Sequence, residues 1–219
     1  MKSIEEIKAA IEASVPGTQV EVVPNLSVPS QASLRVDPRH AMAAARFLRG
    51  GPDLRFDYLS NVTGVDWLDA AVKDKVRVKR VVEGVEKEVE ELVEHKRPGY
   101  LEAVYHLFSM ELKHGPLILR QRTENRVDRV HVTSLTPVYR SAEFQEREAF
   151  DLYGIIFDGH PDLRRLLMWD EFEDHPMRKD YVEPDDYEYE PTPHDQVLDK
   201  ARRHYPVAAG PGTPGGRKP

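Results

Sequence analysis

The chain has 219 residues, 40% of them hydrophobic and 32% charged, with a formal net charge of -7. That is enough chain for one domain with appendages and a real core. The charge excludes a phosphate-tracking nucleic-acid protein, which needs a basic surface, and the complete lack of cysteine excludes disulfides, thiolate zinc sites and Cys-ligated iron–sulfur clusters.

Apolar runs are only a few residues long, far short of the roughly 20 that cross a bilayer. Met1 to Glu6 lacks the apolar core of a secretory signal and carries acids, so the chain is expected to stay cytoplasmic and to reach a membrane only through partners. Ile4, Ile7, Ala10 and Ile11 form a helical stripe behind a Ser3 N-cap, ended by Pro16-Gly17. Gln19–Val23 and Ser33–Val36 read as short strands. Asp37-Pro38 opens a helix to Leu48, closed by Gly50-Gly51-Pro52. Phe56–Trp67 reads as a strand with Gly64 as a bulge.

Residues 72–93 are a charged insertion. Valines alternate with bases from Lys73 to Arg80 and with acids from Glu86 to Glu94. A hairpin would set a basic strand against an acidic one, with cross-strand ion pairs fixing the register. The second half also fits helical spacing, through Val85, Val89 and Leu92. Functionally it is either a protruding arm for a neighbour or a solvated local insertion. Tyr100–Met110 and Pro116–Arg120 follow as core strands with His114-Gly115-Pro116 as their turn, and Arg129–Thr133 adds another. No Gly-rich phosphate loop of either common type occurs, so no motif here binds NADH or FMN.

Thr136-Pro137 or Ser141 starts a further helix, with Gly154 as its C′ residue. Glu143, Arg147 and Asp151 share one stripe, which flanks Arg147 with carboxylates. Beyond it, His160-Pro161-Asp162-Leu163-Arg164-Arg165 and His175-Pro176-Met177-Arg178-Lys179-Asp180 form a Pro/Arg-rich ribbon. Proline fixes φ and extends its predecessor, which suits an irregular but rigid path. The fold class is α+β, an antiparallel or mixed sheet with helices packed on it. It occupies 1–180, and 181–219 is an extended tail, partner-bound through Tyr187 and Tyr189 or disordered, with a short helix near 196–203. Glu146 and Glu148 point to different sides of a helix and suit salt bridges better than acid–base catalysis. His160 and His175 lack any compact metal spacing.

Glu146-Arg147-Glu148, Asp151, Tyr153-Gly154-Ile155, Gly159 to Arg165 and His175 to Asp180 match in order and spacing the signature of the C subunit of respiratory NADH:quinone oxidoreductase (complex I), the 30 kDa subunit family. Fainter echoes are Tyr58-Leu59-Ser60, Thr63-Gly64-Val65-Asp66 and Tyr105-His106-Leu107. The resemblance spans about residues 30–180. It departs from the family at Phe144, where Trp is usual, at Met168-Trp169, where Pro is common, and in the charged insertion. It implies a scaffold subunit of the peripheral arm of a proton-translocating oxidoreductase, on the cytoplasmic face of the cell membrane. FMN, iron–sulfur clusters and quinone would reside on other subunits, and the partners would be the quinone-binding large subunit and the Fe–S subunits. No catalytic, cofactor-binding or metal residue is expected on this chain. Arg164, Arg165, Arg178 and Lys179 are expected to bind partner carboxylates, while the Glu146–Arg147–Glu148 helix anchors the ribbon. Two alternatives are the equivalent subunit of a membrane-bound hydrogenase or other-donor complex and, remotely, a freestanding metal-dependent hydrolase.

Overall fold

A computed structural model describes residues 2–25, 27–28, 31–82 and 85–182, and of 72–95 it describes the backbone alone. The chain divides into two units, Met1–Tyr181 and Val182–Pro219. The expected tail features at Tyr187, Tyr189 and 196–203 lie outside the described residues.

Helix α1 (Ile4–Ser14) starts with a capping box: the Ser3 hydroxyl accepts the Glu6 N–H, and the Glu6 carboxylate accepts the Ser3 N–H at 2.7 Å. Its stripe buries Ile7 and Ile11 completely. Helix α2 (Pro38–Gly50) is capped by Asp37, whose carboxylate accepts the Arg39 N–H, and it buries Ala41, Ala44, Ala45 and Leu48. The small faces of these alanines let the helix lie close to the sheet beneath it.

That sheet has five strands in the order β1 (Val20–Val23), β2 (Ser33–Val36), β7 (His114–Arg122), β6 (Tyr100–Ser109) and β3 (Tyr58–Trp67). Strands β2 and β7 run parallel and the other neighbours antiparallel, which makes the sheet mixed and the fold α+β. Alternation along the strands puts Leu34, Val36, Leu101, Ala103, Tyr105, Leu107, Leu117 and Leu119 on the helix-covered face, in one core with the buried sides of the helices.

Two local expectations are corrected. The β6–β7 turn is Met110–Lys113, and His114-Gly115-Pro116 opens strand β7 itself. Pro116 lacks an N–H, and it falls where the register shifts between the Leu107–Leu117 and Ser109–His114 pairs. The β3 bulge lies between Leu59 and Asn61, not at Gly64. Of the two starts offered for the next helix, Ser141 is the N-cap position, and Thr136-Pro137 precede a separate turn.

Strands β4 (Ala70–Val82) and β5 (Val85–Arg97) pair antiparallel along their length. The ion pairs expected between them concern side chains outside the described residues. A small parallel pair, β8 (His131–Thr133) and β9 (Ile156–Asp158), brackets helix α3 (Ala142–Tyr153), which lies along edge strand β3. On this edge strand the Val62 N–H donates to the Gln145 side-chain oxygen at 2.6 Å. Helix and sheet edge are thereby keyed to each other.

Candidate docking site built on helix α3

The helix stripe seen in the sequence is used differently from a simple row of ion pairs. Arg147 makes none with Asp151. Its guanidinium donates to the carbonyls of Arg164 and Arg165 at 3.1 and 3.0 Å. Asp151, fully buried, reaches the same ribbon from one turn further along: one carboxylate oxygen takes Arg165 at 2.7 Å, and the other accepts the backbone N–H groups of Leu166, Leu167 and Met168 at 3.0, 2.7 and 2.9 Å. Burial alone would raise this carboxyl, but the N–H groups of Met168 and Leu167, Arg165 and the Leu166 N–H outweigh it and hold the group below its usual range. Helix side chains thus replace the missing secondary-structure bonds of residues 164–168. Glu143 pairs instead with Arg140, at 3.0 Å.

Glu146 points the other way, into the domain, and is fully buried. It accepts from the Ser134 hydroxyl at 2.5 Å, the Leu135 N–H at 2.8 Å, the Thr136 hydroxyl at 3.0 Å and the Tyr105 hydroxyl at 3.2 Å. All four donors are neutral. Burial therefore pushes this carboxyl above its usual range, against the pull of Ser134, Leu135 and Thr136. Gln121 extends the network. Its amide donates to the Tyr105 hydroxyl at 3.3 Å and the Thr133 carbonyl at 2.8 Å, and its oxygen accepts the Thr133 N–H at 3.0 Å.

The helix ends at Gly154, whose φ of 72° is left-handed. Space matters as much as conformation, because a Cβ there would collide with the His175 ring and meet Arg178 Nη2 at 2.7 Å. His175 Nδ1 donates to the Asp151 carbonyl at 2.9 Å, and burial lowers its pKa. Arg178 donates to the carbonyls of Tyr153 at 2.7 Å and Arg126 at 3.1 Å. The Tyr153 ring lies over Gly64, where a Cβ would overlap it. Close approach, and no bulge, is what Gly64 provides.

Arg126 closes the far end. It grips buried Asp66 with two bonds, at 2.6 and 2.7 Å, and Asp180 at 2.8 Å, while Asp66 also accepts the Lys179 N–H at 2.8 Å. Burial raises the Asp66 carboxyl, but Arg126 and the Lys179 N–H hold it below its usual range. The Lys179 ammonium lies over the Trp67 ring, 5.7 Å from its centre.

The residues singled out in the sequence thus divide into two sets. Glu146, Arg147, Asp151, Tyr153, Gly154, Arg165, His175 and Arg178 turn inward and organise this chain, and Pro176 is half-buried among them. Glu148, Pro161, Asp162, Arg164, Lys179 and Asp180 are exposed. Arg164 pairs with Asp162 at 2.9 Å. His160 is half-buried, and both its ring nitrogens meet backbone: Nε2 donates to the Glu143 carbonyl and Nδ1 accepts the Asp162 N–H. No group of three potential metal-ligating side chains occurs among the described residues. The sequence reading missed Arg126, Gln121, Ser134 and the capping role of Gln145. Arg126 sits in a polar loop with no periodicity, and only pairing with Asp66, 60 residues away, gives it meaning.

Residues 34–187 match the family described as respiratory-chain NADH dehydrogenase, 30 Kd subunit. The NADH-quinone oxidoreductase C subunit of Coxiella burnetii is 34% identical over 169 residues, which cover 75% of this chain and 72% of that protein. Its counterpart in Salinispora arenicola is 33% identical over 177 residues, 81% of this chain and 60% of its own. That of Saccharopolyspora erythraea is 38% identical over 146 residues, 67% of this chain and 47% of its own, so the chain spans about half to two-thirds of such relatives. A chain of the membrane-bound sulfane sulfur reductase, an archaeal respiratory membrane complex, shares the fold with a TM-score of 0.53 at 19% identity, covering 98% of both chains. With its signature helix, ribbon and family match coinciding, the chain belongs to the family of the 30 kDa subunit of respiratory-chain NADH dehydrogenase, the C subunit of NADH-quinone oxidoreductases.

Proposed function

We propose that this chain is a non-catalytic scaffold in the peripheral arm of a proton-translocating NADH:quinone oxidoreductase, helping to assemble the quinone-reducing module. One observation carries the reading. The buried ionisable groups of the signature helix, Glu146, Arg147 and Asp151, are occupied in holding this chain's own backbone and side chains. A catalytic acid or base needs access to a substrate proton, and these groups have none to spare. The ribbon they hold presents Leu167 and Met177, and α3 presents Phe144, each more than half exposed. Large apolar side chains held rigidly at the surface suit a protein partner.

Arg164 and Lys179, the exposed bases of the ribbon, meet carboxylates of the quinone-binding large subunit. Arg165 and Arg178 act from behind, by fixing the path that carries them. FMN, the iron–sulfur clusters and quinone sit on neighbouring subunits, since this chain has no cysteine and no nucleotide loop. No helix among the described residues is long and apolar enough to cross a membrane, and the chain lies peripherally on the cytoplasmic face, held there by the complex.

The test is to isolate the tagged chain from its native membranes. Co-isolation of the Fe–S and quinone-site subunits, with NADH-driven quinone reduction, supports the proposal. Recovery of the chain without them contradicts it, and reduction by a different donor moves the chain to the related membrane complexes.

A further inference from the structure

We propose that the middle of the ribbon, residues 169–174, takes a cationic, aliphatic segment of the protein partner on which the ribbon docks, an inference that rests on the scaffold reading. Arg164 and Lys179 stand at the two ends of the ribbon. Between them the exposed charges have the opposite sign, Asp170, Glu171, Glu173 and Asp174. Asp170 lies in the field of Arg164, which is itself bonded to Asp162 at 2.9 Å. The side chains of Glu171, Glu173 and Asp174 have no ion pair among the described residues. Arg165 pairs with Asp151 and meets Asp174 only at its backbone carbonyl, at 3.2 Å.

The backbone that carries these acids is anchored. Phe172, between Glu171 and Glu173, is only 4% exposed. Its ring meets that of Trp169 edge-on, with centres 4.7 Å apart, and its N–H donates to the Trp169 carbonyl at 3.1 Å. The Arg165 guanidinium lies 5.4 Å from the centre of the Phe172 ring. With Phe172 turned inward, its two acidic neighbours face water. Beside them Leu167, Trp169 and Met177 stay exposed, at 59, 45 and 53%. A fixed patch of one sign gains most from a complementary partner, because little order is lost when the partner arrives. Lys and Arg bring both parts of the match, a cationic head for the acids and an aliphatic stem for the apolar side chains. No three potential metal-ligating side chains converge among the described residues, so the acids are spread as for several cationic side chains and not for one ion. An anionic lipid surface attracts basic clusters and is repelled by this one.

The test uses the full chain in its native membranes, with a photo-crosslinking amino acid at Leu167 or, as a control away from the ribbon, at Arg39, which is exposed on α2. The Leu167 position should label a partner peptide in which Lys or Arg stands among aliphatic residues, and the Arg39 position should not label that peptide. Glu171→Lys combined with Glu173→Lys should cut the Leu167 labelling by roughly tenfold or more, and Glu171→Asp with Glu173→Asp should preserve it. The identity of the labelled peptide decides the question even where a charge variant fails to fold. A labelled peptide without bases, or label on lipid or on this chain alone, would overturn the inference, and the scaffold reading would still stand if the Fe–S and quinone-site subunits co-isolate. Undiminished labelling after charge reversal would overturn it too. So would labelling that a chelator abolishes, which puts a divalent cation in the place of the basic segment. A chain recovered without partners and without label would overturn both readings.

Discussion

Asp151 and Arg165 meet at 2.7 Å inside the protein, 14 residues apart in the chain, and the free oxygen of the same carboxylate gathers the next three backbone N–H groups of the ribbon. The helix end thereby becomes the mould in which an irregular segment sets. Glu146, on the same helix, faces only neutral donors. The two acids are thus held in opposite ways, Asp151 as an anion and Glu146 with its charge disfavoured.

That contrast predicts the outcome of two near-isosteric substitutions. Asp151→Asn leaves Arg165 without its counter-charge and sets an amide against donors, and it should cost about 3–5 kcal/mol, the range for breaking one partner out of a buried pair. Glu146→Gln keeps an acceptor for Leu135, while the hydroxyls of Ser134 and Thr136 can rotate to accept, so its cost should stay within about 1 kcal/mol. Urea unfolding of both variants beside the parent checks the order.

Gly154→Ala should destabilise well beyond the roughly 1–2 kcal/mol of a left-handed Cβ by itself, because the methyl would also displace His175 and Arg178. Thermal unfolding would show a larger loss than for Gly159→Ala, where φ is 82° but the space is open.

Arg126→Lys removes a two-bond grip on Asp66 that a single ammonium cannot reproduce. The end of the ribbon should loosen, and trypsin should cut after Arg178 and Lys179 faster than in the parent. Mass-spectrometric timing of that cleavage is the readout, and unchanged kinetics would remove Arg126 from the account.

Burial lowers the pKa of His175, so the folded state binds this proton more weakly than the unfolded chain. The contribution of neutral His175 is complete above the unfolded value of about 6.5 and is lost as pH falls from there through the folded value. His106 and His114 are shifted in the same direction. Stability should therefore drop between about pH 7.5 and 5.5, and His175→Asn should make that drop shallower without abolishing it. Denaturant titrations at the two pH values measure both slopes.

Much of this arrangement is legible in the sequence because it is local. Ser3 with Glu6, Asp37 with Pro38, and Gly154 after a helical run are start and stop signals whose physics acts within a few residues. The inward stripe of α3 could be drawn from spacing, but its partners could not. Arg147 and Asp151 look like a salt-bridge pair on a helical wheel, and they separate because unpaired backbone at 164–168 is the stronger claim on both. Gly64 suggested a bulge for want of any sign that Tyr153, far along the chain, would press against it. His114-Gly115-Pro116 suggested a turn, and the register shift beside Pro116 lets these residues open the strand instead. What escaped were long-range pairings through loops, with Arg126 and Asp66 the clearest case.

The central claim is that the buried charges of α3 build a docking ribbon and perform no chemistry, and Asp151→Asn in the native host tests it most directly. Native gels and NADH-driven quinone reduction, measured on the same membranes, separate the two roles. The account predicts that fully assembled complex declines in proportion to activity, with the complex that does assemble turning over normally. A complex that assembles in full but reduces quinone slowly would contradict it.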